Sequence, residues 1–223
     1  MLPIQGLFFM NMSMEIAVLI FDNVNALDVT GPCEVLSKMP NVSMKYVSKE
    51  IGPKPTSSGI KFIADYTLEQ IQKPDILLVP GGFGTESVSD NGDVLEWIRQ
   101  VHENTTWTAS VCTGGLLLGL AGVLNGLKAT THWVRLPCLE DFGAKPQKKR
   151  VVIDGKVITS AGVSAGIDMA LTLANLIAGE TVAKAIQLAL EYDPEPPFDA
   201  GSPDKAPKEI FELVVQKVGN RKK

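Results

Sequence analysis

The apolar positions of the chain fall into two alternating kinds of segment. Continuous apolar runs of five to seven residues occur at Glu15 to Phe21, Asp75 to Pro80 and Trp107 to Val111. Such runs suit strands buried on both faces of a parallel sheet. Between them lie stretches with helical spacing. Leu27 to Lys38 has helical potential, with Pro32 expected near its start. Asp90 to Asn104 places Val94, Leu95, Ile98 and Val101 on one face. Leu116 to Ala121 continues the pattern, and helices are expected at Ala165 to Ala178, Thr181 to Tyr192 and Lys208 to Val218. Weaker strands are expected at Val42 to Ser48 and Ile60 to Ala64, with a Pro/Ser/Gly loop at Gly52 to Gly59. Asp154-Gly155, flanked by Arg150 to Ile153 and Lys156 to Thr159, is a hairpin signal. Val123 to Trp133 suggests a turn, a short strand and a helix start at Thr131. The proline-rich Asp193 to Pro207 cannot be regular structure. Strands alternating with helices predict an α/β fold with a mostly parallel sheet covered on both faces. No repeat or linker stands out, so residues 14–223 are expected to form one domain after an N-terminal extension at 1–13.

In such sheets ligands bind beyond the carboxyl ends of the strands. Three segments meet that description: the loop after Phe21, Gly81-Gly82 after Pro80, and Cys112 after Val111. Cys112 stands where a strand turns into a helix, with the small residues Ser110 and Gly114 two positions to either side. That is the pattern of a nucleophile elbow, and the helix N–H groups there would favour a thiolate. The plainer reading is a buried structural cysteine. Gly81 and Gly82 would let backbone N–H groups approach a ligand, although a tight turn explains them equally well. A carboxylate placed after the first strand, Asp28, can lie beside Cys112. If the pocket desolvates it, its pKa rises and it can hold a proton. Helix N-capping is its other reading.

Composition narrows the field. Across 223 residues, 45% are apolar and the formal net charge is −4, which excludes a disordered chain and gives no nucleic-acid footprint. Three cysteines, at 33, 112 and 138, are too few and scattered for a disulfide framework and suggest a reducing, cytoplasmic setting. No run is long enough to span a membrane. With no Cys-x-x-Cys and two histidines, neither a metal site nor a ready Cys-His pair has support, since Thr113 follows Cys112. His102 and His132 are more readily structural.

LDVTGP at 27–32, PGG at 80–82, SVCTGG at 110–115 and ATTHW at 129–133 resemble the ThiJ/PfpI superfamily. The tail LEYDPEPPFDAGSPDKAP from Leu190 narrows the resemblance to its isocyanide-hydratase branch. The resemblance implies a flavodoxin-like α/β sandwich and a homodimer with no metal or organic cofactor. It also implies a small-molecule isocyanide substrate that is hydrated to an N-substituted formamide. Cys112 would then be the nucleophile and Asp28 the proton carrier, with Thr113 holding water or substrate. Gly81 and Gly82 are expected at the pocket, with Trp133, Tyr192 and Phe198 in its apolar wall, core packing being the equal alternative for the three aromatic residues. Two other classes stay open: a redox-sensing or regulatory protein with an oxidisable Cys112, and a glyoxalase-like enzyme acting on small carbonyls. Regulators that share these motifs carry an added helix-turn-helix. Ser160-Ala161-Gly162 replaces a more glycine-rich turn of the hydratases, so alanine would stiffen backbone near the site.

Overall fold

A computed structural model describes residues 13–220, with side chains through Lys217; residues 1–12 of the expected extension lie outside it. Its strands are β1 (Met14–Leu19), β2 (Val42–Ser48), β3 (Gly52–Pro55), β4 (Lys61–Ala64), β5 (Tyr66–Thr67), β6 (Ile76–Val79), β7 (Trp107–Val111), β8 (Lys128–Ala129), β9 (Lys145–Pro146), β10 (Val151–Asp154) and β11 (Val157–Ser160). Its helices are α1 (Ala26–Leu36), α2 (Thr85–Ser89), α3 (Gly92–Asn104), α4 (Gly114–Leu120), α5 (Ala165–Ala178), α6 (Glu180–Ala189) and α7 (Lys208–Asn220), and Trp133–Phe142 is a 3-10 segment.

Seven strands form the central sheet in the order β10-β11-β7-β6-β1-β2-β5. Only the β10–β11 hairpin is antiparallel; the other pairings are parallel. Numbered by themselves, β1, β2, β6, β7 and β11 stand in the order 2-1-3-4-5, the flavodoxin-like arrangement. The chain steps one way from β1 to β2 and the other way from β6 to β7. Right-handed crossovers then send α1 and α3 to opposite faces. α5 packs on α1, and α2, α3 and α4 pack together. The switch in direction leaves a crevice beyond the carboxyl ends of β1 and β6, with β7 next to it.

The continuous apolar runs are the buried centre. Ile16, Ala17, Val18, Ile76, Leu77, Leu78 and Val79 are wholly excluded from solvent. α3 buries Val94, Trp97, Ile98 and Val101, the i, i+3, i+4, i+7 stripe of a helix on a sheet. Trp97 takes the place expected for Leu95, because its Nε1–H donates to the Ile71 carbonyl at 2.7 Å while its ring fills the core.

Several expectations are corrected. The loop at Gly52 to Gly59 contains β3, which pairs with β4 in a separate two-stranded ribbon. Its prolines at 53 and 55 fit because such a ribbon has free edges. Pro32 is not at a helix start but inside α1, so the Asp28 carbonyl receives no helical N–H from it. Helical structure after the Gly81-Gly82 loop begins with the short α2, ahead of α3. Thr131 stands outside any helix, and the 3-10 segment starts at Trp133.

The chain divides into two compact units, one ending at Leu190 and one beginning at Glu191. The second consists of the irregular proline-rich stretch and α7, whose Ile210, Phe211, Leu213, Val214 and Val215 side chains are exposed.

Candidate active site

Three strand ends deliver the polar groups of the crevice. Val24 bridges to both Thr56 and Gly82, and the Asn25 N–H donates to the Gly81 carbonyl at 2.9 Å. The loop after β1 is thereby fastened to the loop after β6. Asn25 stands at the N-cap position of α1 without a side-chain capping bond, and Asp28 lies in the first turn with no solvent exposure. The carboxyl does not serve its own helix. Its Oδ2 accepts from the Gly81 N–H at 3.0 Å, which overturns the capping alternative. Oδ1 is fully buried and accepts no hydrogen bond at ordinary distance. Only glycine fits at position 81. A Cβ there would lie 2.5 Å from the Thr113 nitrogen, 2.6 Å from its Oγ1 and 2.9 Å from Asp28 Oδ2.

β7 ends in the elbow. Cys112 has φ +55°, in the left-handed region that non-glycine residues avoid. Its N–H is held by the Ser160 and Ala161 carbonyls, both at 3.2 Å, and its carbonyl accepts from Thr131 Oγ1 at 2.5 Å. The thiol is 6% exposed and lies beside the Asp28 carboxyl, close enough for each to shift the other's pKa. The backbone N–H groups of Thr113 and Val163 point at the sulfur. Val163, which follows the Ser160-Ala161-Gly162 turn, is itself at φ +33°, an outlier for a β-branched residue. The alanine at 161 lends its carbonyl to the elbow.

Burial governs the electrostatics. Desolvation pushes the Asp28 carboxyl up to about 7, against the lowering effect of the Gly81 N–H and the Cys112 thiol. It also pushes the Cys112 thiol up to about 12, with the charge of Asp28 adding to the rise and the two N–H groups opposing it. The thiolate expected from the helix N-terminus is therefore corrected. α4 has seven residues, so its dipole is small beside the cost of removing a charge from water. Burial thus favours the protonated thiol, beside a carboxyl raised toward neutrality.

Thr113 Oγ1 accepts from the Gly82 N–H at 2.9 Å, and Thr85 donates to the Gly82 carbonyl at 2.8 Å. The structure thus gathers Cys112, Asp28, Thr113, Gly81 and Gly82 in one crevice. Trp133 is half-buried and stacked on His132 at 5.7 Å. Tyr192 and Phe198, expected in the pocket wall, belong to the second unit, and Phe198 is exposed. His132 Nδ1 accepts from the Val134 N–H at 3.4 Å, and its ring lies over Gly162, where a Cβ would be 2.7 Å from Cδ2. Burial lowers its pKa and that of His102. Glu34 is exposed and pairs with Lys38 at 2.8 Å. Cys33 is buried against Tyr46, and its thiol is pushed up to about 12 by burial. Among the described residues no group of His, Cys, Asp and Glu is arranged to hold a metal ion, and no helix is long and apolar enough to cross a membrane. Sequence reasoning missed Thr131 and Val163, whose approach to Cys112 joins segments far apart in the chain.

The model of the DJ-1/PfpI family matches residues 14–176. Isonitrile hydratase of Pseudomonas putida is 43% identical over 201 residues, covering 90% of this chain and 88% of that protein. The crystal structure of a ThiJ/PfpI family protein from Pseudomonas syringae superposes with a TM-score of 0.91 at 33% identity, over 94% of this chain and 87% of that one. The HTH-type transcriptional regulator CdhR of Pseudomonas aeruginosa is 33% identical over 131 residues, 57% of this chain and 38% of the regulator. The elbow cysteine, the strand order and these matches agree: the chain belongs to the DJ-1/PfpI family.

Proposed function

We propose that the protein is an isocyanide hydratase, which converts R–NC and water to an N-substituted formamide. One observation carries this reading: a buried thiol lies beside a buried carboxyl whose pKa burial pushes up to about 7. An isocyanide carbon must accept both a nucleophile and a proton. A thiol beside a carboxyl that titrates near neutrality can supply both. The similarity to isonitrile hydratase supports the same reaction.

In the first step the sulfur of Cys112 bonds to the terminal carbon while Asp28 takes the thiol proton. Asp28 returns that proton to the same carbon, which leaves a thioimidate, RN=CH–S–Cys112. Water then adds to the thioimidate carbon. Asp28 accepts one water proton and delivers it to nitrogen. Collapse of the adduct breaks the C–S bond, and the remaining hydroxyl proton returns to sulfur as RNH–CHO leaves. The unpartnered Oδ1 of Asp28 is the atom suited to carry the moving proton. The Thr113 hydroxyl positions water or substrate, and Gly81 and Gly82 let the reacting atoms come close. The homodimer belongs to the same proposal, with the exposed apolar side chains of α7 as its support. Light scattering at the mass of one chain would remove it.

A redox-sensing cysteine is ordinarily accessible and of low pKa. Cys112 is neither, which weighs against that alternative. The deciding experiment measures formamide from a bulky alkyl isocyanide. Turnover is expected for the wild-type protein and a fall of at least about 10³-fold for Cys112→Ala. A folded wild-type protein that makes no formamide would sink the hydratase reading.

A further inference from the structure

We propose that Thr131 is a positioning residue for the Cys112 sulfur and acts through the Cys112–Thr113 peptide. Thr131 is 1% exposed, and its hydroxyl spends its proton on the Cys112 carbonyl at 2.5 Å. Besides this bond, that carbonyl accepts the first-turn N–H of Gly115 at 3.3 Å. The peptide between Cys112 and Thr113 is trans and planar, so its C=O and N–H point in opposite directions. Drawing the carbonyl toward Thr131 aims the Thr113 N–H the other way, and that N–H faces the Cys112 sulfur. A hydrogen bond accepted at the carbonyl also polarises the amide, which strengthens its N–H as a donor. The line of contact is Thr131 O–H to the carbonyl, then across the peptide from N–H to sulfur.

The surroundings are built to keep Thr131 in place. Gly115 leaves room for it, since a Cβ there would lie 3.2 Å from the threonine Cβ. Its neighbour Thr130 donates its N–H to Thr159 Oγ1 at 2.9 Å, which moors the segment to β11. The Cys112 sulfur meets two N–H groups and one ionisable partner, Asp28. Weakening one N–H therefore changes how readily the thiolate forms.

This inference deepens the function proposed above and rests on Cys112 being the nucleophile. Its test compares wild type, Thr131→Val and Thr131→Ser by iodoacetamide alkylation at about pH 9, read cysteine by cysteine by mass spectrometry. Valine keeps the shape and removes the donor; serine keeps the donor. Loss of the donor raises the thiol pKa, and the greater nucleophilicity of the resulting thiolate offsets only part of the rate lost. The expected result for Thr131→Val is alkylation of Cys112 slowed by about threefold, with Cys33 and Cys138 unchanged. Formamide kcat falls by about tenfold while KM stays within about twofold. Thr131→Ser restores wild-type rates. A purely structural role predicts the opposite sign, because loosening the fold speeds alkylation at all three cysteines. Unchanged or faster alkylation of Cys112 in Thr131→Val would overturn the inference. If the valine variant does not fold, slowed alkylation in Thr131→Ser would overturn it as well. Should wild type make no formamide, the hydratase reading fails, and the alkylation rates still decide the role of Thr131.

Discussion

β7 carries a buried polar cluster at each end, and the two are built on opposite terms. At the amino end Thr108 Oγ1 lies 2.9 Å from both His102 Nδ1 and Thr105 Oγ1, and Thr105 donates to the His102 carbonyl at 3.0 Å. Lys156, reaching over from the β10–β11 hairpin, donates to carbonyls at the end of α3 and just beyond it: those of His102, of Glu103 at 3.2 Å and of the following Thr105 at 3.1 Å. Each of these groups has a partner, and burial with the nearby Lys156 charge keeps His102 below its ordinary pKa. At the carboxyl end, four residues on, Asp28 Oδ1 and the Ser110 hydroxyl are buried without partners, and Cys112 and Val163 hold positive φ. A protein of marginal stability tolerates such costs where they serve something else. The satisfied end anchors a strand. The unsatisfied end keeps a carboxyl and a thiol poised to exchange a proton.

The largest expected effect comes from removing the poise without removing the shape. Asp28→Asn keeps the acceptor for the Gly81 N–H and loses the proton carrier. Formamide turnover should fall by about 10²- to 10⁴-fold. The same variant should change stability in the other direction. The Asp28 carboxyl titrates at about 7 in the folded protein against 3.8 ordinarily, so it binds its proton more tightly when folded. That contribution is complete below about pH 4 and is lost as pH rises through about 7, because the unfolded chain gives up its proton first. Wild-type urea midpoints should therefore decline between about pH 4 and pH 7, and the decline should be smaller in Asp28→Asn. Equal slopes would mean that the carboxyl is not held protonated by burial.

The satisfied end should respond in the reverse sense. Lys156→Met keeps the aliphatic stem and removes the cation from three carbonyls at the C-terminus of α3. A loss of about 1–2 kcal/mol in unfolding free energy is expected. kcat should stay within about twofold of wild type at a temperature where both are folded. A large fall in kcat with unchanged stability would mean that the two ends are coupled through β7.

These two ends were also unequally legible in the sequence. The strands that frame them were readable because parallel strands buried on both faces run as unbroken apolar stretches, as in Glu15 to Phe21 and Asp75 to Pro80. The turn at Cys112 was readable from its small neighbours. The place of Asp28 beside it followed from its position after β1, while its role rested on resemblance. What escaped depends on distance in the chain. Thr131 and Val163 reach Cys112 from 19 and 51 positions away by sequence number, and neither carries a local signal. The state of the thiol escaped for a different reason. A turn into a helix suggests a stabilised thiolate, but the burial that outweighs it arises only when three loops close over the sulfur. Short elements were missed too: β3 is half proline, and β5 is two residues long.

The smallest effect concerns the second unpartnered group of the carboxyl end. Ser110 is wholly buried in β7, and its hydroxyl has no partner, while its carbonyl accepts from Ser160 Oγ at 3.0 Å. A hydroxyl removed from water without a new hydrogen bond is a net cost. Ser110→Ala removes that oxygen, leaves the backbone bond to Ser160 intact and opens less space than one methyl group. Unfolding free energy should rise by about 1 kcal/mol, read as a higher urea midpoint at unchanged slope. If the hydroxyl only fills space beneath the elbow, kcat and the alkylation rate of Cys112 remain at wild-type values. A stability gain joined to a loss of turnover would place Ser110 with Asp28, among the costs the site requires. A stability loss would mean that the hydroxyl has a partner after all, and the contrast between the two ends of β7 would rest on Asp28 alone.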